Sequence, residues 1–489
     1  MLNTLVHKKY FWGYVISFVF IVLNGIAITY EIYYLPALPV LLIPILIAIT
    51  ALDKFLLLTV FFVPLSIPLS YIVGKIGVDI SLPAEAFLII ILILTGLKFV
   101  QGQMMDRRIV FHPVSLAVYF YLGWTFITCI TSSMPLVSFK FLIARIWFIA
   151  AFYFLAAQIF QDRKYIWKYL YAYLIPLIAV IVYVIVHHST YGLTNQQVAY
   201  FVVKPFYNDH TSYGAVIAIL IPVVAGLFFT KFRLLSNIQR VLFIMLILYL
   251  FIAVVFSYSR AAWVSLIAVF VIGVIIKLRI PWQFLLAGFL LVLFLVFSYR
   301  TEITMHLARN TQVSSGNFNE HLKSISNIRN DDSNLERLNR WGCAWRMFRE
   351  KPVFGWGPGT YMFNYAPFQI SAEKTNISTN RGTLGDAHSE YLGPLSESGL
   401  PGVISFVVII VLTWITGMRV YLHSEKGKMR ILSLSVLLGL TTFYIHGLLN
   451  NFLNTDKISA LFWGFTAILV ALDVYHTGKK RSLDQLPEN

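Results

Sequence analysis

Apolar runs long enough to cross a bilayer follow one another along this chain. They lie near residues 11–30, 33–52, 55–73, 84–100, 113–131, 140–158, 165–186, 210–229, 240–257, 260–277, 282–299, 401–418, 431–449 and 457–475. One crossing takes about 20 helical residues, because each adds about 1.5 Å to a hydrocarbon core about 30 Å thick. The pattern predicts an all-α fold: a polytopic transmembrane helical bundle of about 14 spans, within a range of roughly 12–14. Pro36, Pro39, Pro44, Pro64 and Pro68 interrupt the first runs. Those runs are therefore expected to be kinked or re-entrant, with neighbours re-satisfying the freed carbonyls.

The pattern changes once. Residues 300–400 are polar, and they are not a linker. Leu335, Leu338, Trp341, Trp345 and Phe348 recur at helical spacing over 334–350, which predicts a helix there. A turn cluster follows at Gly355-Trp356-Gly357-Pro358-Gly359. A second helix is expected to start at Asp386 as N-cap and to stop at Gly399 before Pro401. The resulting organisation is a bundle over 1–299 with about eleven spans, a large, mostly helical extracytoplasmic loop over 300–400 acting as a lid, about three more spans over 401–476, and a tail over 477–489. No internal repeat is apparent.

Composition narrows the class. Hydrophobic residues make up 58% and charged residues 12%, against about 25% charged in soluble domains. This excludes a soluble globular enzyme, a disordered chain and a fibrous one. The 38 Lys and Arg against 22 Asp and Glu give a formal +16. In a soluble protein that surplus would suggest nucleic acid. Here its distribution fits basic cytoplasmic loops: with the N-terminus inside, the inner segments hold 21 basic residues and the short outer loops five (Lys75, Lys140, Lys204, Arg260 and Lys457). Both termini are thus expected in the cytoplasm. Residues 300–400 carry eleven Lys or Arg on the outer side, but long translocated segments escape the charge rule. Lys8 and Lys9 precede an apolar run from Phe11 with no small-residue cleavage pattern, which reads as a retained first span. Two cysteines, Cys129 and Cys343, cannot build a disulfide framework or a zinc site.

Three segments carry candidate chemistry. In Ser257-Tyr258-Ser259-Arg260-Ala261-Ala262-Trp263 the chain turns between two apolar runs and sets a guanidinium at the outer mouth of the bundle. Its five donors suit phosphate or pyrophosphate, while snorkelling at a helix end is the ordinary alternative. In Lys204-Pro205-Phe206-Tyr207-Asn208-Asp209-His210-Thr211-Ser212, one of Asn208, Asp209, Thr211 or Ser212 is expected to cap the next span. That helix start, with Lys204 beside it, forms an anion site, or else a plain cap with an interfacial His210. In Asp386-Ala387-His388-Ser389-Glu390-Tyr391, a neutral His388 can take a proton from a sugar hydroxyl, with Asp386 or Glu390 orienting it. Ser389 has no nucleophile elbow around it, so no hydrolase triad is read. Arg145 sits one to two turns inside a span, facing a polar cavity or snorkelling beside Lys140. Glu85 lies at a span start and reads as interfacial, and Asp331-Asp332 lacks a nearby His and is not taken as a metal pair.

Together, Ser259-Arg260-Ala261-Ala262-Trp263, Gly355-Trp356-Gly357-Pro358-Gly359-Thr360-Tyr361 and His388-Ser389-Glu390-Tyr391 with Glu397-Ser398-Gly399-Leu400-Pro401-Gly402 resemble the O-antigen ligase and polymerase family. The order also fits: an arginine turn, one more helical pair, a long outer loop, then His close to the next span. The resemblance covers about residues 200–450, and the first 180 match only in being helical. It implies a metal-independent, inverting membrane glycosyltransferase without cofactor, working on the periplasmic face of a bacterial inner membrane. The donor would be a glycan on undecaprenyl pyrophosphate. The acceptor would be lipid A–core sugar in a ligase, or another lipid-linked repeat unit in a polymerase; nucleic acid is not a partner, and membrane lipid surrounds the protein.

Carried over by the resemblance, Arg260 would bind pyrophosphate and His388 would be the general base. Lys204, Asp209, His210, Arg145 and Glu390 complete the expected pyrophosphate and glycan contacts, and no metal site is expected. The family's other arginine has no clean match, and Lys204 stands nearest, as a point charge rather than a bidentate clamp. Trp341, Trp345, Trp356 and Tyr361 are candidates for stacking on sugar rings or for packing the lid core. A lipid-linked oligosaccharide flippase is the alternative from another class. It would predict paired halves and several intramembrane charges, neither of which this chain displays. A metal-dependent enzyme with an acidic first outer loop fits poorly, since that loop is a few residues around Glu31.

Overall fold

The structure is a computed structural model that describes residues 2–30, 34–74, 80–102, 105–281, 283, 298, 332–374, 378, 385–424 and 427–477. Nearly all of the expected 282–299 span, the first third of the lid and the tail beyond 477 lie outside the described residues. So does Asp331.

The chain divides into two units, Met1–Leu56 and Leu57–Asn489. The first contains helices α1 (Leu2–Thr29) and α2 (Tyr34–Thr50). Pro36, Pro39 and Pro44 fall inside α2 without ending it. A third helix, α3 (Leu52–Phe62), leads into the second unit.

The run expected at 55–73 is broken there. After Phe62 the chain turns at Pro64, and β1 (Ile67–Pro68) pairs antiparallel with β2 (Ser81–Leu82), Ile67 opposite Leu82. Pro64 and Pro68 lack the N–H that would continue a helix, and Leu69 N donates instead to Ile80 O at 2.9 Å. Helix α4 (Ala84–Val100) follows, with Glu85 buried at its start and accepting from Ser81 N at 3.2 Å.

Among the described residues, nine helices are long and apolar enough to cross a membrane, and the chain is a multi-pass membrane protein. They are α5 (Pro113–Ile130), α6 (Pro135–Ile159), α7 (Arg163–Ser189), α8 (His210–Leu234), α9 (Asn237–Phe256), α10 (Arg260–Leu278), α12 (Leu392–His423), α13 (Lys428–His446) and α14 (Asp456–His476), with the lid helix α11 (Asp332–Glu350) between α10 and α12. Helices α8 and α14 are buried almost throughout, whereas α9 and α10 present Leu242, Met245, Ile267 and Phe270 outward. Outward apolar faces are what lipid requires.

Between apolar helices in lipid, association rests on close packing of small residues. A Cβ on Gly439 of α13 would meet Ile219 O of α8 at 2.6 Å, and Gly464 of α14 sits against the Tyr169 ring of α7. Tyr169 and Tyr173 donate to Ala460 O (2.7 Å) and Lys457 O (3.0 Å), pinning α7 to α14. Lys457, expected in a short outer loop, is buried in the first turn of α14, where it pairs with Asp456 (3.2 Å) and donates to Ser66 O (3.2 Å).

The lid has its own small core. Cys343, Ala344 and Met347 of α11 pack with Tyr361, Tyr365 and Ala387, and Trp356 and Phe368 close over them. Trp356 and Tyr361 therefore serve packing, while Trp345 is 51% exposed. The glycine turn joins this core to the spans. Trp356 O accepts from Ser133 N (2.9 Å), Pro358 O from Ser138 Oγ (2.9 Å), and Gly357 N donates to Glu397 O (2.8 Å). Gly357 has φ 111°, and a Cβ there would fall on Ser132 Oγ, so both backbone and space demand glycine.

Helix α12 begins at Leu392, not at Asp386 as expected. Ser389 Oγ accepts from Tyr391 N and Leu392 N (3.3 Å each), which takes over the role foreseen for Asp386. The expected break at Gly399 is present: its φ of 68° interrupts α12, and Leu400 N donates to Pro352 O at 2.9 Å.

Candidate active site

The start of α8 lies against the arginine turn and within electrostatic reach of the His388 loop. Asp209 is its N-cap, with Oδ1 accepting from Thr211 N (2.7 Å) and Ser212 N (2.8 Å). This is one of the four caps the sequence allowed. One turn further in, Gly214 lets the arginine turn approach: a Cβ there would meet Ser257 Oγ at 2.6 Å and Ser259 Cβ at 2.8 Å. Tyr258 holds φ 50°, and Ser259 caps α10 by accepting from Ala262 N. Arg260 is thus the first residue of α10, half-buried beside the start of α8. Lys204 is exposed, and its carbonyl accepts from Tyr183 Oη at 3.0 Å. His210 is buried, with its ring edge-on to Tyr200 at 4.3 Å.

His388 lies on the loop just before α12, with φ 47°. Among the described residues only Tyr258, Arg279 and His388 adopt the left-handed region without being glycine. Two of the three therefore flank this site, the kind of place where such strain gathers. The side chain is 35% exposed, and its Nδ1 lies 3.4 Å from Asp386 Oδ1, which also accepts from His388 N at 3.2 Å. That contact favours the tautomer with the proton on Nδ1, leaving Nε2 as acceptor. Burial holds the imidazole below its usual pKa. Asp386 and Asp209 act against that, and Arg340 and Arg337 of the lid helix reinforce it. The imidazole is therefore biased toward its neutral form. Asp209, at the start of α8, lies within electrostatic reach of His388.

Glu390 and Arg145 share a bonding partner. Both hold the 447–455 loop between α13 and α14. Glu390 N donates to Gly447 O (2.8 Å), and Glu390 Oε1 accepts from Leu453 N (2.6 Å). Arg145, buried on α6, donates to Leu453 O (2.8 Å) and to Asn454 Oδ1. It is buried and does not snorkel to the surface. Burial pushes the Glu390 carboxyl up to about 7, against the pull of Arg145 and of the Leu453 and Phe452 N–H groups.

Sequence reasoning missed three contributors. Arg337 and Arg340 lie three residues apart on α11, a spacing that puts both on one helical face. Arg340 is held by Glu336 (2.7 Å) and donates to Asp386 O (3.2 Å). Asn451, with its amide nitrogen toward the carboxylate, donates to both Asp386 oxygens (3.0 and 2.9 Å). The arginine spacing was readable once α11 was predicted; nothing in the sequence singles out Asn451. Among the described residues, no three His, Cys, Asp or Glu side chains are grouped to hold a metal ion.

No curated protein matches the chain. Residues 241–407, roughly a third of its length, match the sequence model of the family described as O-antigen ligase. That stretch contains the Arg260 turn, the lid helix, the glycine turn and the His388 loop. The chain therefore carries an O-antigen ligase domain over residues 241–407.

Proposed function

We propose that this protein is an integral-membrane glycosyltransferase that transfers a glycan from undecaprenyl pyrophosphate to an acceptor sugar, lipid A–core, on the periplasmic face of a bacterial inner membrane. The observation that carries the reading is His388. It stands half-exposed on a left-handed turn with Asp386 at its Nδ1, beside the start of α8, within the stretch that matches the O-antigen ligase family.

In this reading the acceptor hydroxyl gives its proton to His388 Nε2 as its oxygen attacks the anomeric carbon. The bond from that carbon to the pyrophosphate oxygen breaks, its electrons leave with undecaprenyl pyrophosphate, and the configuration inverts. Negative charge grows on the leaving group, and Arg260, Lys204 and the α8 N-terminus stabilise it. Asp209 fixes that helix start. Arg145 and Glu390 shape the site through the 447–455 loop rather than by touching glycan, and His210 packs beneath it. The chemistry requires no metal.

Purified protein reconstituted in liposomes with lipid-linked glycan and acceptor provides the test. His388→Ala and Arg260→Ala are each expected to lower transfer by at least about 100-fold while the protein stays inserted and monodisperse. Normal transfer by either variant contradicts its role. EDTA is expected to leave wild-type turnover unchanged, whereas loss with rescue by a divalent ion contradicts the metal-free mechanism.

A further inference from the structure

The 447–455 loop lies outside the stretch that matches the ligase family, yet it reaches the His388 loop at several points. Glu390 ties down both of its ends, through Gly447 O at one and Leu453 N at the other. Arg145 and Ser459 Oγ (2.6 Å) fix Leu453 O, Asn450 Nδ2 meets His446 Nε2 at 3.1 Å, and Tyr391 Oη donates to Tyr444 O at 2.9 Å just before the loop. A loop held this firmly carries its side chains in fixed directions. The one it sends to the His388 loop is Asn451.

Asp386 has two carboxylate oxygens and several claims on them. Oδ1 accepts from His388 N and lies opposite His388 Nδ1. A carboxylate is an acceptor only, and one with a single firm partner can rotate. The Asn451 amide lies within 3.0 Å of both oxygens, so it fixes the plane of the carboxylate. Arg340 fixes the same residue at its backbone carbonyl. The charged groups within electrostatic reach of His388 are Arg337 and Arg340 of the lid helix, Asp209 of α8 and Asp386 of its own loop.

We infer that Asn451 is a positioning residue for the general base: it locks the Asp386 carboxylate against His388 Nδ1 and so keeps the proton off Nε2. The inference rests on the reading of His388 as base given above. It also makes the site depend on the last two spans, beyond the matched domain. Asn451 touches neither sugar nor pyrophosphate and acts only through Asp386.

A double-mutant cycle in the reconstituted transfer assay tests this, with wild type, Asn451→Ala, Asn451→Asp, Asp386→Asn, both doubles and His388→Ala. Asn451→Asp keeps the volume of the side chain and replaces the donor with a like charge. Either Asn451 change is expected to lower kcat by about 10- to 100-fold, with KM for donor and acceptor unchanged within about twofold. In the Asp386→Asn background neither is expected to cost anything further, because the two residues act as one unit. Full activity of the Asn451 variants, an equal loss in both backgrounds, or a loss confined to KM overturns the role of Asn451 while His388→Ala stays inactive. Failure of both variants to give folded, monodisperse protein assigns Asn451 to stability and also overturns it. Full activity of His388→Ala overturns the reading of the site itself, which separates the two failures.

Discussion

Arg145 and Glu390 show what a residue's chemistry leaves unsaid. Each is an ionisable group where lipid or protein surrounds it, and each looks like a substrate ligand on residue type alone. In the fold both bond to the Leu453 backbone, and Arg145 also to Asn454 Oδ1, in a loop some 60 to 310 positions away. That separation was not legible in the sequence. The same holds for Lys457, counted as an outer-loop charge until Ser66 and Asp456 enclose it. The local settings of His388 and Arg260 were legible because their neighbours in sequence shape them: an acid two positions before the His, and a turn between two runs.

Glu390 gives a pH prediction. Its carboxyl is raised to about 7 in the fold, against about 4.3 in an unfolded chain. Between those values the folded state holds a proton that the unfolded state has lost. Stability is therefore highest below the lower value and falls as pH rises through about 7. Wild type is expected to lose on the order of 2–3 kcal/mol of stability between pH 5 and 8 by this route, and Glu390→Gln to lose much less. Thermal unfolding in detergent at the two pH values checks it. An equal fall in both proteins contradicts the assignment.

Secondary structure on the lid was well predicted where periodicity was strong. The helix expected over 334–350 appears as Asp332–Glu350, but the face it buries carries Cys343, Ala344 and Met347, while Leu338 and Trp345 of the predicting pattern are exposed. The break at Gly399 was equally plain. The start of α12 was not, because Asp386 and Ser389 are both capable caps and the choice turned on Asp386 being engaged by His388 and Asn451. The break at 62–69 followed from its prolines, but its pairing with Ser81–Leu82 is a tertiary matter.

The glycine turn is the element that joins lid to spans, and Gly357 is its tightest point. Gly357→Ala is expected to cost about 2–4 kcal/mol, since φ 111° and the approach of Ser132 and Ser138 both exclude a methyl. The apparent melting temperature and the monodisperse yield in detergent read this directly. An unchanged melting temperature would show that the turn yields more easily than its packing indicates.

For the molecule as a whole, helix length and helix breaks set the span count. About 14 runs were foreseen, and nine long apolar helices stand among the described residues. Runs of 17 residues such as α2 and α4 fall short by length alone, and the 55–73 run is broken. The helix ends sort into two sets. The starts of α8, α10, α12 and α14 and the lid gather at one end, while Arg163, Lys231, Lys277, Arg419 and Lys428 mark the other. In a background with Cys129 and Cys343 replaced, Trp345→Cys is expected to react with a membrane-impermeant maleimide from the periplasm. Lys428→Cys is expected to react only after the inner membrane is opened. The reverse pattern contradicts the orientation.

The central claim is glycosyl transfer from a lipid carrier at His388. A glycan gel tests it most directly, comparing a host deleted for this gene with the same host carrying wild type or His388→Ala. The account predicts that the deletion and His388→Ala lanes are alike, with long polymer held on the lipid carrier and absent from lipid A–core, and that wild type restores it. Glycan stopping at a single repeat unit in those lanes would assign a polymerase instead. A His388→Ala lane identical to wild type would contradict the account.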